Sequence, residues 1–321
     1  MNGLVALYRK ELSDHFSSYR FVIIFALIAM VGFITSYMAG ISLRENLGGI
    51  AKPKFVFLML FNTPGALFSM VQFVAFFGPL IGIILGFDAI NRERTQGTLI
   101  KLVTQPIYRD SIVNGKFLAG VTTISIMLLS ILLVISGFGI TLLGIVPGPE
   151  EIFRLVVYLI ISIFYISFWL GLAILFSICF KGIATSALTS VALWIFLSFF
   201  VSMGADVLSD IIVPIDNKSI TDRDAIIKNT RIKEAISLVS PMELYSTATS
   251  VIINPSRKTI SALPIMTMGQ VEKYSLSRFK NPLSLGQSIV MVYPHMAVLI
   301  ALSLICFAIS YTIFMIQEIR T

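Results

Sequence analysis

Asp88-Ala-Ile-Asn-Arg-Glu93-Arg-Thr-Gln-Gly97-Thr98-Leu99-Ile-Lys101-Leu102-Val-Thr-Gln-Pro106-Ile-Tyr-Arg109-Asp-Ser-Ile-Val-Asn-Gly115-Lys116 is a charged island between two long apolar runs. Gly65 to Phe87 before it and Phe117 to Val146 after it carry no charged residue. Each run reaches the roughly 20 residues that a helix needs to cross a bilayer. The island therefore reads as the place where the chain leaves a membrane, turns and goes back.

The rest of the chain repeats that pattern. Of 321 residues, 56% are hydrophobic and 13% charged, with a mean hydropathy of +0.91. Soluble chains carry roughly 25% charged residues, so a soluble domain is excluded. Six spans are expected, at about Phe21 to Gly40, Gly65 to Phe87, Phe117 to Val146, Leu155 to Phe180, Ile183 to Met203 and Ser288 to Ile316. Only Lys181-Gly182 separates the fourth from the fifth, which predicts a tight hairpin. Pro79 is expected to kink the second. Ahead of the spans, Leu4, Tyr8, Leu12 and Phe16 recur every four residues and predict an amphipathic elbow helix over 3–19, lying in the interface. The leader mixes apolar and charged residues, unlike a short basic signal region, and is read as retained.

Counting Lys and Arg in the short loops orients the chain. Arg9, Lys10, Arg20, Arg92, Arg94, Lys101, Arg109, Lys116, Lys181 and Arg320 fall on one side, against Arg44, Lys52, Lys54 and Arg154 on the other. The positive-inside bias puts both termini and the island in the cytosol of a multi-pass cell-membrane protein. The same flanking pattern accounts for the net charge of +7 and excludes a nucleic-acid partner. Cys179 and Cys306 lie in apolar runs without a ligand set around them, so neither a metal nor a disulfide is expected.

Three regions follow: 1–203 with the elbow and spans one to five, 204–287 as an extracytosolic insertion, and 288–321 with span six and a short tail. Within the insertion, Ser240-Pro241-Met242-Glu243 combines an N-cap, a first-turn proline and an acidic third position, predicting a helix that ends before Asn254-Pro255. Thr221-Asp-Arg-Asp224 opens another, to about Val239. Pro264 and Asn281-Pro282 punctuate the remainder, and Asn217-Lys218-Ser219 fits a glycosylation sequon. The fold class is an all-α polytopic membrane protein with a largely helical insertion between helices five and six.

Inside the island, Gly97 suits a left-handed break, and Thr98 is placed to cap a short helix with Leu99, Leu102 and Val103 on its apolar side. Pro106 ends that helix, and Tyr108 to Lys116 leads back into the third span. The expected product is a helix along the membrane surface whose apolar knob inserts into a groove on a separate cytosolic domain.

The ordered set Glu93, Gly97-Thr98-Leu99, Pro106, Arg109 and Gly115-Lys116 resembles the cytosolic loop of the type-2 ABC transporter permeases, the membrane subunits of many prokaryotic exporters. The elbow, the six spans, the cytosolic termini and the tight turn between spans four and five agree with that family. Thr95-Gln96 departs from it, since glutamate often follows the Glu-Arg pair there, and Lys101 stands at the capping-box position of the short helix, where glutamate or glutamine is expected. The resemblance implies that Glu93, Gly97, Thr98, Leu99, Leu102, Pro106 and Arg109 couple the chain to an ATP-binding cassette subunit. It also implies two copies of that subunit and a second permease copy or a homologous permease. No Gly-x4-Gly-Lys-[Ser/Thr] occurs, because Phe117 follows Gly115-Lys116, so this chain holds no phosphate loop. No cofactor is expected on this chain; ATP and Mg belong to the partner, and no catalytic residue is assigned.

Two rival classes fit the sequence less well. A proton- or ion-coupled transporter would bury titratable groups in its spans, which offer almost none. His295, beside Tyr293-Pro294, reads as an interfacial histidine, and no protease constellation is present. A non-transporting receptor or scaffold displaying 204–287 would not need the ordered island pattern. The substrate stays open: Gln72, Tyr165, Trp169, Trp194 and Tyr311 are candidate lining groups, and the thirteen methionines are scattered. The insertion could be a lid over the exit or a dock for an extracytosolic partner. Its size is similar to that of permeases associated with copper-site maturation of periplasmic enzymes, and drug, peptide or lipid export fits equally well.

Overall fold

The computed structural model of the chain describes residues 2–46, 55–61, 69–104, 107–144, 146–214, 223–255 and 283–317. Its helices are α1 (Asn2–Phe16), α2 (Tyr19–Asn46), α3 (Met70–Gly86), α4 (Asn91–Thr95), α5 (Thr98–Val103), α6 (Arg109–Leu143) and α7 (Pro149–Cys179). They are followed by α8 (Ile183–Ile195), α9 (Val201–Ile212), α10 (Arg223–Ser237), α11 (Pro241–Ile253) and α12 (Leu285–Ile316). A 3-10 turn occupies Phe57–Leu60, a π turn at Phe196–Phe200 joins α8 to α9, and no strand occurs among the described residues. Among those residues six helices are long and apolar enough to cross a membrane: Tyr19–Ile41, Met70–Thr95, Arg109–Thr141, Pro149–Cys179, Ile183–Ile212 and Leu285–Ile316. These match the six expected spans. The fifth runs nine residues beyond Met203, continuing as a helix past the π turn at Phe196–Phe200.

The centre of the bundle is α7, packed against α3 on one side and α12 on the other. Close approach to α3 depends on small residues at four-residue spacing. A Cβ built on Gly82 would stand 2.6 Å from the Ile166 carbonyl oxygen, and one on Gly86 would stand 2.8 Å from that of Leu170. Such backbone contact is what small residues allow between membrane helices. Pro79 lies inside α3 and deprives the Ala75 carbonyl of its helical donor. The Tyr165 hydroxyl on α7 donates to that carbonyl at 2.7 Å. The proline is thus accommodated by a cross-helix bond.

Of the five candidate lining groups, four have packing roles. Gln72 closes the capping box of α3 with Ser69, Tyr165 bonds Ala75, Trp169 is fully buried, and Trp194 packs edge-on against Phe76. Tyr311 is half-buried.

Part of the 204–287 segment is built into the bundle. Residues 204–212 complete α9, and α10 runs back along it, with Asn229 Nδ2 donating to the carbonyls of Ser209 and Val213. After a bend of 113°, α11 packs against α3, α7 and α12. Its start, capped by Ser240 with Pro241 in the first turn, agrees with the sequence signal. Tyr245 stacks on Tyr165 at 4.4 Å and shares a 2.9 Å hydrogen bond with Ser162, both near the middle of α7. A helix buried on most sides needs such a packed setting. The sequon and the stretch from Pro264 to Pro282 lie outside the described residues.

At the same end, Arg154 of α7 is wholly buried. Its guanidinium donates to the carbonyls of Ile252 and Leu283, to Ser288 Oγ and to Glu150 Oε1, at 2.7–3.2 Å. It ties α11 and α12 to α7. The sequence reading counted Arg154 as a loop charge.

Candidate coupling site

The island folds as two short helices joined by Gly97. Its φ of +68° is left-handed, a conformation that costs an L-residue about 1 kcal/mol or more. Thr98 does not cap α5: it is the first helical residue, and its hydroxyl donates backwards to the Glu93 carbonyl at 3.2 Å. The turn between α4 and α5 is therefore closed by threonine as well as by glycine.

Four sets of bonds fasten this unit to the helix ends around it. Ser177 Oγ, on α7, accepts from the amides of Ile90 and Asn91 at 3.0 Å, and Asn91 Nδ2 donates to the Gly182 carbonyl. Arg94 reaches the carbonyls of Ile178 and Phe180 and the side chain of Gln317 beyond α12. A cation at carbonyls left open by a helix C-terminus is favourably placed. Arg109, at the start of α6, donates to the carbonyls of Phe314 and Gln317, the latter at 2.8 Å, and lies over the Phe314 ring.

The fourth set is ionic. Lys116 of α6, 5% exposed, places its ammonium 2.9 Å from both Glu11 of α1 and Glu93 of α4. Lys10 stands 3.3 Å from Glu11 and 3.7 Å from Glu93, and Arg20 at the start of α2 pairs with Asp88 at 2.6 Å. Charges this buried persist only when paired. Burial pushes the Glu11 carboxyl upward, but Lys116 and then Lys10 outweigh it and hold the group below its ordinary 4.5. Burial drives His15 below 6.5, against the pull of Glu11, Asp88 and Asp14. Lys10 is pushed down by its partial burial, yet Glu11, Glu93 and Asp14 raise it above 10.5 on balance.

The expected site residues thus divide. Glu93 and Arg109 are anchoring groups held inside the chain, and Gly97 forms the left-handed break. Leu99 is 2% exposed and Leu102 half-buried, so neither forms an outward knob. The apolar side of α5 packs on its own bundle, and its outward surface is Ile100, 40% exposed, with Lys101. Pro106 lies outside the described residues. On α1 the deeply buried positions are Leu7 and Glu11, one step round from the expected stripe. Tyr8 donates to Thr122 of α6.

The pattern matched by known proteins covers nearly the whole chain: the sequence model described as ABC-2 family transporter protein aligns with residues 5–319. The chain belongs to the ABC-2 transporter family. It is similar to the probable ABC transporter permease protein NosY of Stutzerimonas stutzeri, 31% identical over 153 residues, 47% of this chain and 49% of that one. Against the protein of that name in Pseudomonas aeruginosa it is 34% identical over 92 residues, 28% of this chain and 31% of that one. The matched regions thus span about half and about a third of those relatives. With six apolar helices, this ABC permease subunit is a multi-pass membrane protein.

Several residues that hold the permease's island were not singled out from sequence. Glu11 and Lys116 are 105 positions apart, and Ser177, Arg94 and Gln317 are comparably dispersed. Only the buried face of α1 offered a local hint, since Leu7 and Glu11 lie on one line four residues apart.

Proposed function

We propose that this chain, paired with a second permease copy, forms the translocation pathway of an ABC exporter driven by a separate ATP-binding cassette subunit on each copy. ATP and Mg belong to those subunits. The termini and the island lie in the cytosol, as the distribution of Lys and Arg indicates, and export is assigned from the resemblance to exporters. The observation that carries the reading is the fastening of α4–α5. Four residues in and just before α4 (Asp88, Asn91, Glu93 and Arg94) bond to α1, α2, α6, α7 and α12 or their ends, and Arg109, where the chain enters α6, bonds to the end of α12. A push on the outward face of α5 reaches all of those helices through short polar links. Coupling of that kind needs a contiguous network with two arrangements.

The test is ATP hydrolysis by the assembled complex in vesicles. Glu93→Ala removes the link to α6, and Gly97→Val forces a β-branched residue into left-handed backbone. Both variants are expected to assemble yet lose substrate-stimulated hydrolysis. Stimulation equal to that of the unmodified complex in both would overturn the assignment.

A further inference from the structure

A cavity of about 770 Å³ opens between the end of α1, the start of α2 and the α4–α5 unit. That volume is within the ~300–1,000 Å³ usual for small-ligand sites. Its lining is sorted by charge. Lys10 and Arg20 stand on the α1–α2 wall, both about half exposed, and face Arg92 and Lys101 on the α4–α5 wall. Arg92 and Lys101 are exposed, and among the described residues no ion pair engages either. Deeper groups are mostly acidic: Asp88, Glu11 and Glu93, with Lys116 among them, while Asp14 stands exposed at the rim. Glu93 is 92% buried by its 8% exposure; one carboxylate oxygen is held by Lys116, while Oε2 has no hydrogen-bond partner. Phe21, Ile84, Leu85 and Ile174 add an apolar side.

We propose that this cavity binds a phosphoethanolamine headgroup carried on a membrane phospholipid. The phosphate sits between Arg92, Lys101, Lys10 and Arg20, where two guanidinium groups offer paired donors. The ammonium turns toward Asp14 and Glu93, whose unpartnered oxygen calls for an N–H donor. Phe21, Ile84 and Leu85 lie at the bases of α2 and α3 and Ile174 near the end of α7, and the acyl chains run along them. A choline headgroup has no N–H to give, and a glycerol headgroup brings no cation to the acidic groups. The cavity shares Glu93 and Lys101 with the coupling unit, but lipid binding is read on the permease chain alone and so is separable from ATP hydrolysis.

Lipid retention by the purified full-length chain tests it, using native mass spectrometry after exchange into vesicles of phosphatidylethanolamine, phosphatidylcholine and phosphatidylglycerol in equal parts. Phosphatidylethanolamine is expected to be retained about tenfold or more over each of the others. Arg92→Ala with Lys101→Ala should remove that retention for every lipid. Asp14→Asn, which stays clear of the buried pairs, should shift selectivity toward phosphatidylglycerol. Soluble glycerophosphoethanolamine should not displace the lipid at equal concentration. Equal retention of the three lipids, unchanged retention in the double variant, or displacement by the soluble compound would overturn the proposal. So would loss of the lipid on adding the ATP-binding subunit, which would make the cavity a socket for protein.

Discussion

Replacing Lys116 by Met keeps the length and volume of the side chain and removes only its ammonium. Glu11 and Glu93 then each lose a 2.9 Å charge-assisted bond while their side chains stay about one-tenth exposed. Taking one partner from a buried pair costs about 3–5 kcal/mol, and two charge-assisted bonds counted singly give about 3–6. Lys10 remains near both carboxylates but is half exposed, so its compensation is partial and the lower end, about 3 kcal/mol, is expected. The assay is reversible unfolding in mixed micelles as a function of pH. Glu11 is held below 4.5 in the folded chain, so the stability it adds is present above 4.5 and is lost as pH falls through the depressed value. The difference between Lys116→Met and the unmodified chain should therefore be largest at neutral pH and shrink in acid. A double-mutant cycle with Glu11→Gln should give a coupling of about 1 kcal/mol or more. A variant within about 0.5 kcal/mol of the unmodified chain at neutral pH, or a penalty that stays constant as pH falls from 4.5 through the depressed Glu11 value, would refute the reasoning.

Gly82→Ala should destabilise the bundle by about 1–3 kcal/mol, because the added methyl meets α7 backbone at 2.6 Å. Gly137→Ala, with nothing within 4 Å, should be neutral or slightly stabilising in the same unfolding assay. Arg154→Met leaves the Ile252 and Leu283 carbonyls and Glu150 without their buried donor. A loss of about 3 kcal/mol or more is expected, read as faster amide exchange confined to α11 and the start of α12. Arg231→Cys on the exposed side of α10 should react with an impermeant maleimide added outside intact cells, and protection there would reverse the orientation.

The layout of the bundle was legible in the sequence because it depends on local quantities. Apolar run length located all six spans, Ser240-Pro241 located α11, and Gly97 marked the left-handed break. What escaped depends on contacts across the chain. That Leu99 points inward follows from the core it packs into, which no periodicity in a six-residue helix can report. The fate of the charges escaped for the same reason: Arg154 read as a loop residue and Glu11 lies off the expected apolar stripe of α1, yet both are buried because distant carbonyls or a distant lysine receive them. Gly78, Gly82 and Gly86 were a readable signal of close packing, spaced at four, and passed unused. In the 204–287 segment, helix starts were visible but depth was not, since α11 is too short to announce itself as part of the bundle.

The central claim is that the outward face of α5 receives the ATP-binding subunit. A photoactivatable cross-linker at position 100, in place of the exposed Ile100, tests it in the complex assembled in membranes. Capture of the ATP-binding subunit from position 100 and none from position 231 is the expected result. Absence of capture at 100, with capture from 231 at the opposite end, would contradict it.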